Sequence, residues 1–268
     1  MRNSLKTTHN RGSYGVPPGQ YSEGMETVRG YQDVLRTGPT VPVLLELPKW
    51  EGRQILFQDP DGTIPVEAIG DPIGGVRHPL TGAKLVEQTT DSRRPLYGGI
   101  GVGATNSGDA YLDVLDDTAQ YVPADDDFSI IAVASREDGD DRASIVSYSE
   151  GTSASSDTIY VIRYWDRGRV QWSWRGEAPA TDDDTIPAGT NVLVLASGDG
   201  GYGEVTDEDK SISSSIGSLS ETDDHVVQIG AQAGGITDWS EIRAAVWWGE
   251  ELTGDDLARH TDLMMRLR

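Results

Sequence analysis

The residues able to do chemistry are few in kind. Four histidines, His9, His78, His225 and His260, stand isolated, without the His-x-x-x-His or His-Glu spacing that brings imidazoles onto one transition-metal ion. The chain has no cysteine, which excludes disulfides and thiolate metal sites. Serine-nucleophile motifs are missing. The run Gly98-Gly99-Ile100-Gly101-Val102-Gly103 is not followed by the Lys-Ser/Thr of a phosphate loop and reads as a strand and loop needing close backbone approach. Carboxylates remain, and glycan hydrolysis needs two within about 5 to 10 Å. The nearest candidates are Glu204, Asp207, Glu208 and Asp209 in EVTDEDK, and Asp238 with Glu241.

Acidic turns such as Asp125-Asp126-Asp127 offer oxygen ligands of the kind Ca²⁺ takes in sixes to eights. Asp125, Asp126 and Asp127 are the metal candidates, and calcium is the one cofactor the sequence suggests. Among the seven tryptophans, Trp239 and Trp247 are the candidates for contact with a ligand, because indole rings stack on sugar faces. Trp172 and Trp174 share one face of an alternating strand and are assigned to a core.

Elements must hold these side chains, and charge says how they meet solvent. The 268 residues carry 44 acidic and 22 basic side chains, a net charge of -22, with only four lysines. Such a surface suits solubility in concentrated salt, where screening shortens to about 3 Å at 1 M, and it suggests a halophilic source. It excludes a broad nucleic-acid-binding face, which needs a basic stripe. No apolar run reaches the roughly 20 residues of a membrane span, and the N-terminus lacks the apolar core of a signal peptide, so neither membrane insertion nor that export route is expected. The charge is uneven: residues 1–50 hold six basic and four acidic side chains, whereas the remainder holds 16 and 40.

Residues 1–48 read as an attachment arm and connector. The first 20 are polar and aperiodic. Met25, Val28, Tyr31 and Leu35 then recur at helical spacing, and Val43, Leu44 and Leu45 form an apolar run between prolines. These seven are the expected partner-docking residues. Residues 49–96 form a lead-in segment packing on a sandwich. From residue 97 strands follow one another, separated by Gly, Asp and Ser turns: Ala110 to Leu115, Phe128 to Ser135, Ala143 to Ser149, Thr158 to Trp165, Arg169 to Trp174, Asn191 to Ala196, Val226 to Ala231 and Glu241 to Trp248. That spacing is the signature of an antiparallel sandwich or barrel. In the last strand Trp247 and Trp248 must point opposite ways, so one is expected to leave the core and line a groove or subunit interface. Thr253 is placed to cap a short closing helix with Asp255 and Asp256 in its first turn.

The string ILFQDPDGTIPVEAIGDPIGGVRHP at residues 55–79, followed by VEQTTDSRRPLY at 86–97, resembles a segment found in many tailed-phage virion proteins, where it precedes a laminin-G-like domain of the concanavalin A-like superfamily. The order of the later strands and the closing helix resembles the same pattern. The resemblance implies a mainly β fold, an antiparallel jelly-roll β-sandwich over residues 97–268, with an extended N-terminal arm and a short C-terminal helix. It also implies a structural virion component, a capsid decoration, turret or fibre-type protein of a tailed virus, located in the virion. Other virion proteins, further copies of the chain and host surface glycans are its expected partners. A carbohydrate-binding adhesin and, third, a glycan hydrolase or lyase are the alternatives; the family pattern Glu-x-Asp-x-x-Glu of concanavalin A-like glycan hydrolases does not occur in the sequence, and no catalytic residue is assigned.

Overall fold

The computed structural model describes residues 40–99, 101–103, 110–115, 128–136, 143–150, 158–165, 169–174, 189–197, 202–206, 211–215, 225–230, 241–248 and 250–265. In chain order the strands are β1 (Thr40–Leu44), β2 (Lys49–Trp50), β3 (Arg53–Gln54), β4 (Leu56–Phe57), β5 (Gly75–Arg77), β6 (Lys84–Glu87), β7 (Leu96–Tyr97), β8 (Val102–Gly103), β9 (Leu112–Val114) and β10 (Phe128–Arg136). They continue with β11 (Ala143–Glu150), β12 (Thr158–Trp165), β13 (Arg169–Trp174), β14 (Gly189–Ser197), β15 (Tyr202–Thr206), β16 (Ser211–Ser215), β17 (His225–Ile229) and β18 (Glu241–Trp248); the helix α1 (Gly254–Met265) closes the described chain.

Two antiparallel eight-stranded sheets make a β-sandwich. The first runs β16-β15-β14-β10-β18-β8-β7, with β1 also paired to β18; the second runs β13-β12-β11-β17-β9-β6-β5-β4. β1 touches β5 and β6, and β10 touches β11, so the sheets lie face to face. Between them is one continuous core that includes Ile130, Ala132, Val86, Leu112, Val146, Ile162 and Ile229.

The lead-in segment does more than pack on this sandwich, since β4, β5 and β6 are strands of the second sheet. Its unusual sequence is explained by turn chemistry. Asp59 accepts hydrogen bonds from the backbone N–H groups of Thr63 and Ile64 and from the Thr63 hydroxyl, and Asp71 accepts from the N–H groups of Glu67 and Ala68. Each carboxylate thus closes its own turn. A Cβ on Gly74 would lie 2.6 Å from the Gln58 carbonyl oxygen, so only glycine allows that approach. Arg94 donates to the Gln88 carbonyl and pairs with Asp91 at 2.6 Å. Between Ile64 and Ile69 the chain carries one isolated bridge, Phe57 to Pro65, and leaves Ile69 exposed.

Two expectations fail at β18. The run expected to dock on a partner docks on its own chain: β1 pairs with β18 from Thr40 opposite Trp248 to Leu44 opposite Ala244, and Val43, Leu44 and Leu45 are fully buried. A continuous apolar run without alternation is what a strand covered on both faces requires. Likewise neither tryptophan leaves the core, with Trp247 1% exposed and Trp248 0%. The face bearing Ala245 and Trp247 continues through Val43 and Val41 towards the second sheet. The face bearing Val246 and Trp248 is roofed by α1, whose His260 ring meets Trp248 edge-on at 5.0 Å. Ser129 on β10 fastens the roof, its hydroxyl donating to the Glu250 carbonyl and accepting from the Leu252 N–H.

Candidate functional site

Two-residue alternation puts the apolar positions of the second sheet inward, and the cross-strand register then lines up what lies between them. One row joins Glu87 on β6, Asp113 on β9, Gln228 on β17 and Ser147 on β11. The rows on either side, Val86–Val114–Val227 and Leu112–Ile229–Val146, belong to the core or pack against it. The polar row therefore occupies the face turned away from the first sheet. Gln228 Nε2 donates to Asp113 Oδ1 at 2.9 Å, and Glu87 pairs with Lys84 three residues earlier on its own strand. Tyr111 lies two residues before Asp113, on the same side of β9. Its hydroxyl accepts from Arg93 Nη1 at 2.8 Å while the guanidinium lies 5.6 Å from the ring centroid. Such an arrangement combines a cation–π contact with a hydrogen bond.

Burial grades along this row. Gln228 and Ser147 are buried, Glu87 and Asp113 half-buried, and Arg93 exposed at the rim. Burial pushes the Asp113 carboxyl above its ordinary value. The Gln228 hydrogen bond pulls it back, the Glu87 charge raises it again, and Arg93 lowers it by less. The row can therefore present fixed acceptors and donors, half-desolvated, to a polyhydroxylated ligand.

The residues singled out by sequence fall elsewhere. Trp247 is inside the sandwich and cannot meet a ligand from that position. Trp239, Asp125, Asp126 and Asp127 lie outside the described residues, as do Met25, Val28, Tyr31 and Leu35 and the carboxylates Asp207, Glu208, Asp209 and Asp238. Glu204 is on β15 and Glu241 opens β18 in the first sheet, apart from the polar row. Among the described residues no group of three or more His, Asp or Glu side chains is arranged to hold a metal ion. The glycine run serves packing: a Cβ on Gly101 would lie 2.7 Å from the Ile242 carbonyl oxygen. A shallow recess of about 330 Å³ beside Pro48, Lys49, Val66 and Glu67 holds neither an aromatic platform nor a carboxylate pair.

No protein-family model and no curated protein matches the chain. Among solved structures, Trypanosoma rangeli sialidase overlaps with a TM-score of 0.52 at 12% identity, covering 90% of this chain and 38% of the sialidase. The carbohydrate-binding module CBM40 of Ruminococcus gnavus IT-sialidase, bound to α2,3-sialyllactose, gives a TM-score of 0.43 at 14% identity, covering 53% of this chain and 86% of the module. The NanB sialidase of Streptococcus pneumoniae gives 0.43 at 9% identity, covering 56% and 26%. At these identities the likeness is one of fold, the β-sandwich.

Proposed function

We propose that the chain is a non-catalytic carbohydrate-contacting β-sandwich displayed on the particle of a tailed virus, attached to neighbouring virion proteins through residues 1–39. The observation that carries the binding half is the row Glu87–Asp113–Gln228, with Arg93 and Tyr111 beside it: hydrogen-bonding groups held in register by strands of the second sheet, with Glu87 and Asp113 half-buried and Arg93 exposed. Sites built on strands hold geometry more closely than sites on loops. The virion half is supported by the resemblance of residues 55–79 and 86–97 to a tailed-phage segment. Docking on a partner is reassigned to residues before Thr40, because Val43, Leu44 and Leu45 are used within the sandwich.

The binding half is tested with the full chain on an array of oligosaccharides. Saturable binding is expected, and Asp113→Ala and Arg93→Ala should each weaken it about tenfold, the worth of one charge-assisted hydrogen bond. An array without any saturable signal sinks the reading. For the virion half, particles assembled with a chain lacking residues 1–39 should lack the protein; its retention there removes the arm as anchor.

One observation favours a second reading, glycan hydrolysis. Asp113, whose carboxyl is raised above its ordinary value by burial, stands in direct register with Glu87, and paired carboxylates are what hydrolysis requires. Accumulation of reducing ends from a bound polysaccharide, abolished in Asp113→Asn, would establish it in place of simple binding.

A further inference from the structure

The charge of the chain divides at the end of the lead-in segment. Residues 1–97 hold 11 basic and 11 acidic side chains, whereas residues 98–268 hold 11 and 33, so the net charge of -22 lies wholly in the second part. Exposed large apolar side chains divide the opposite way. Among the described residues they are Ile64, Ile69 and Leu80, exposed by 51%, 75% and 48%, and all three belong to residues 49–96. We infer that this apolar, charge-balanced surface of the lead-in segment is where a second copy of the chain docks.

The three side chains stand on one connected piece of structure. Residues 64–66 run beside β4, the end strand of the second sheet: the Gln58 N–H donates to the Ile64 carbonyl and the Val66 N–H to the Leu56 carbonyl. Gln54 on β3 donates from Nε2 to the Val66 carbonyl at 3.0 Å, and its neighbour Arg53 donates to the carbonyls of Pro79 and Leu80. The recess beside Pro48, Lys49, Val66 and Glu67 belongs to the same piece. Ile69 is held in place. A Cβ on Gly99 would lie 3.0 Å from its Cδ1, so the side chain is seated against backbone while three-quarters exposed, and little freedom remains to be lost when a partner covers it.

The backbone decides how contact is made. From Thr63 to Ala68 every N–H is accounted for: Asp59 takes those of Thr63 and Ile64, Asp71 those of Glu67 and Ala68, Val66 donates to Leu56, and Pro65 has none. An added strand finds no donors along this edge, which leaves side-chain packing as the means of contact. Charge selects the occupant. Two copies brought together through residues 98–268 oppose like charge to like, whereas the lead-in segment carries six basic and seven acidic side chains and meets its own image with little net repulsion.

The test is sedimentation of the full chain from about 1 to 200 μM, in 0.1 M and in 2 M NaCl. A reversible dimer is expected, tightening about tenfold or more in the higher salt, because screening removes the long-range repulsion between two acidic bodies and leaves apolar contact intact. Ile69→Asp and Leu80→Asp should each weaken the dimer about tenfold or more, since across a two-fold axis each substitution acts twice. Both positions are exposed and 11 residues apart, so melting temperatures within about 2 °C of the parent are expected, and a folding defect in one variant leaves the other to decide. A monomer at every concentration in both salts overturns the inference. A dimer that neither substitution weakens overturns the assignment to this face, and a dimer that salt dissociates overturns the apolar mode of contact.

Discussion

At the scale of single residues, most of the conspicuous side chains in the lead-in segment shape turns. Gly74 is the sharpest case, since its missing Cβ would lie 2.6 Å from one backbone atom and 2.9 Å from another. Gly74→Ala is expected to destabilise the protein by about 1–3 kcal/mol through overpacking, read from urea unfolding. Two aspartates act through protonation. At Asp59 burial is the largest single influence and raises the carboxyl, but the hydrogen bonds from Ile64 and Thr63 together outweigh it, and at Asp71 those from Glu67 and Ala68 dominate; both end below the ordinary value of 3.8. Their contribution is present above the unfolded value and is lost as pH falls through the folded one. Asp113 has the opposite sign: its raised carboxyl favours the fold most at low pH, and that contribution is lost as pH rises through its folded value. Asp113→Asn keeps an oxygen for Gln228 to donate to, so its melting temperature relative to the parent should climb between pH 4 and pH 7. A constant difference over that range would contradict the assignment. The row itself was not legible in sequence, because Gln228 and Asp113 are 115 positions apart and only strand pairing makes them neighbours.

At the scale of elements, sequence pattern and structure agree where side chains alternate or β-branched residues cluster. β10 to β14, β17 and β18 lie where turn spacing puts them, and α1 follows the Thr253 carbonyl that accepts from Asp256 and Leu257. The pattern failed where a strand has no alternation to show. β1 is apolar on both faces and interrupted by Pro42, so it reads as a connector, whereas β16, SISSS, is too polar to announce itself and lies at a sheet edge. The same physics misled the reading of Trp247 and Trp248: one-sided burial was assumed for a strand that α1 and the second sheet cover from both sides. The boundary of the removable arm moves accordingly. Deleting residues 1–39 should leave the melting temperature within about 2 °C of the full chain, since a change of 1 kcal/mol shifts it by about 2–4 °C at this size. Deleting 1–45 strips the β18 edge of its partner, uncovers apolar surface and should give aggregated protein by light scattering. Equal behaviour of the two truncations would refute the integral role of β1.

At the scale of the whole molecule, charge governs. Forty-four acidic residues against 22 basic ones repel one another in dilute buffer, and added salt shortens the reach of that repulsion from about 10 Å at 0.1 M to about 3 Å at 1 M. The melting temperature should rise by about 4 °C or more between 0.1 M and 2 M, equally in NaCl and KCl, an effect of 1–2 kcal/mol. A flat profile would mean that surface repulsion does not limit stability and would remove the physical basis for a brine habitat.

The position of β18 has a further consequence for biosynthesis. The last of the described strands sits between β10 and β1, inside the first sheet. A ribosome emits β1 and β10 long before the element that joins them, so the sheet stays split until Glu241–Trp248 has emerged. Pairings this remote in sequence form slowly and leave strand edges unprotected meanwhile. Nascent chains arrested before Glu241 should be cleaved readily by protease, and emergence of residues 241–265 should confer resistance in a single step.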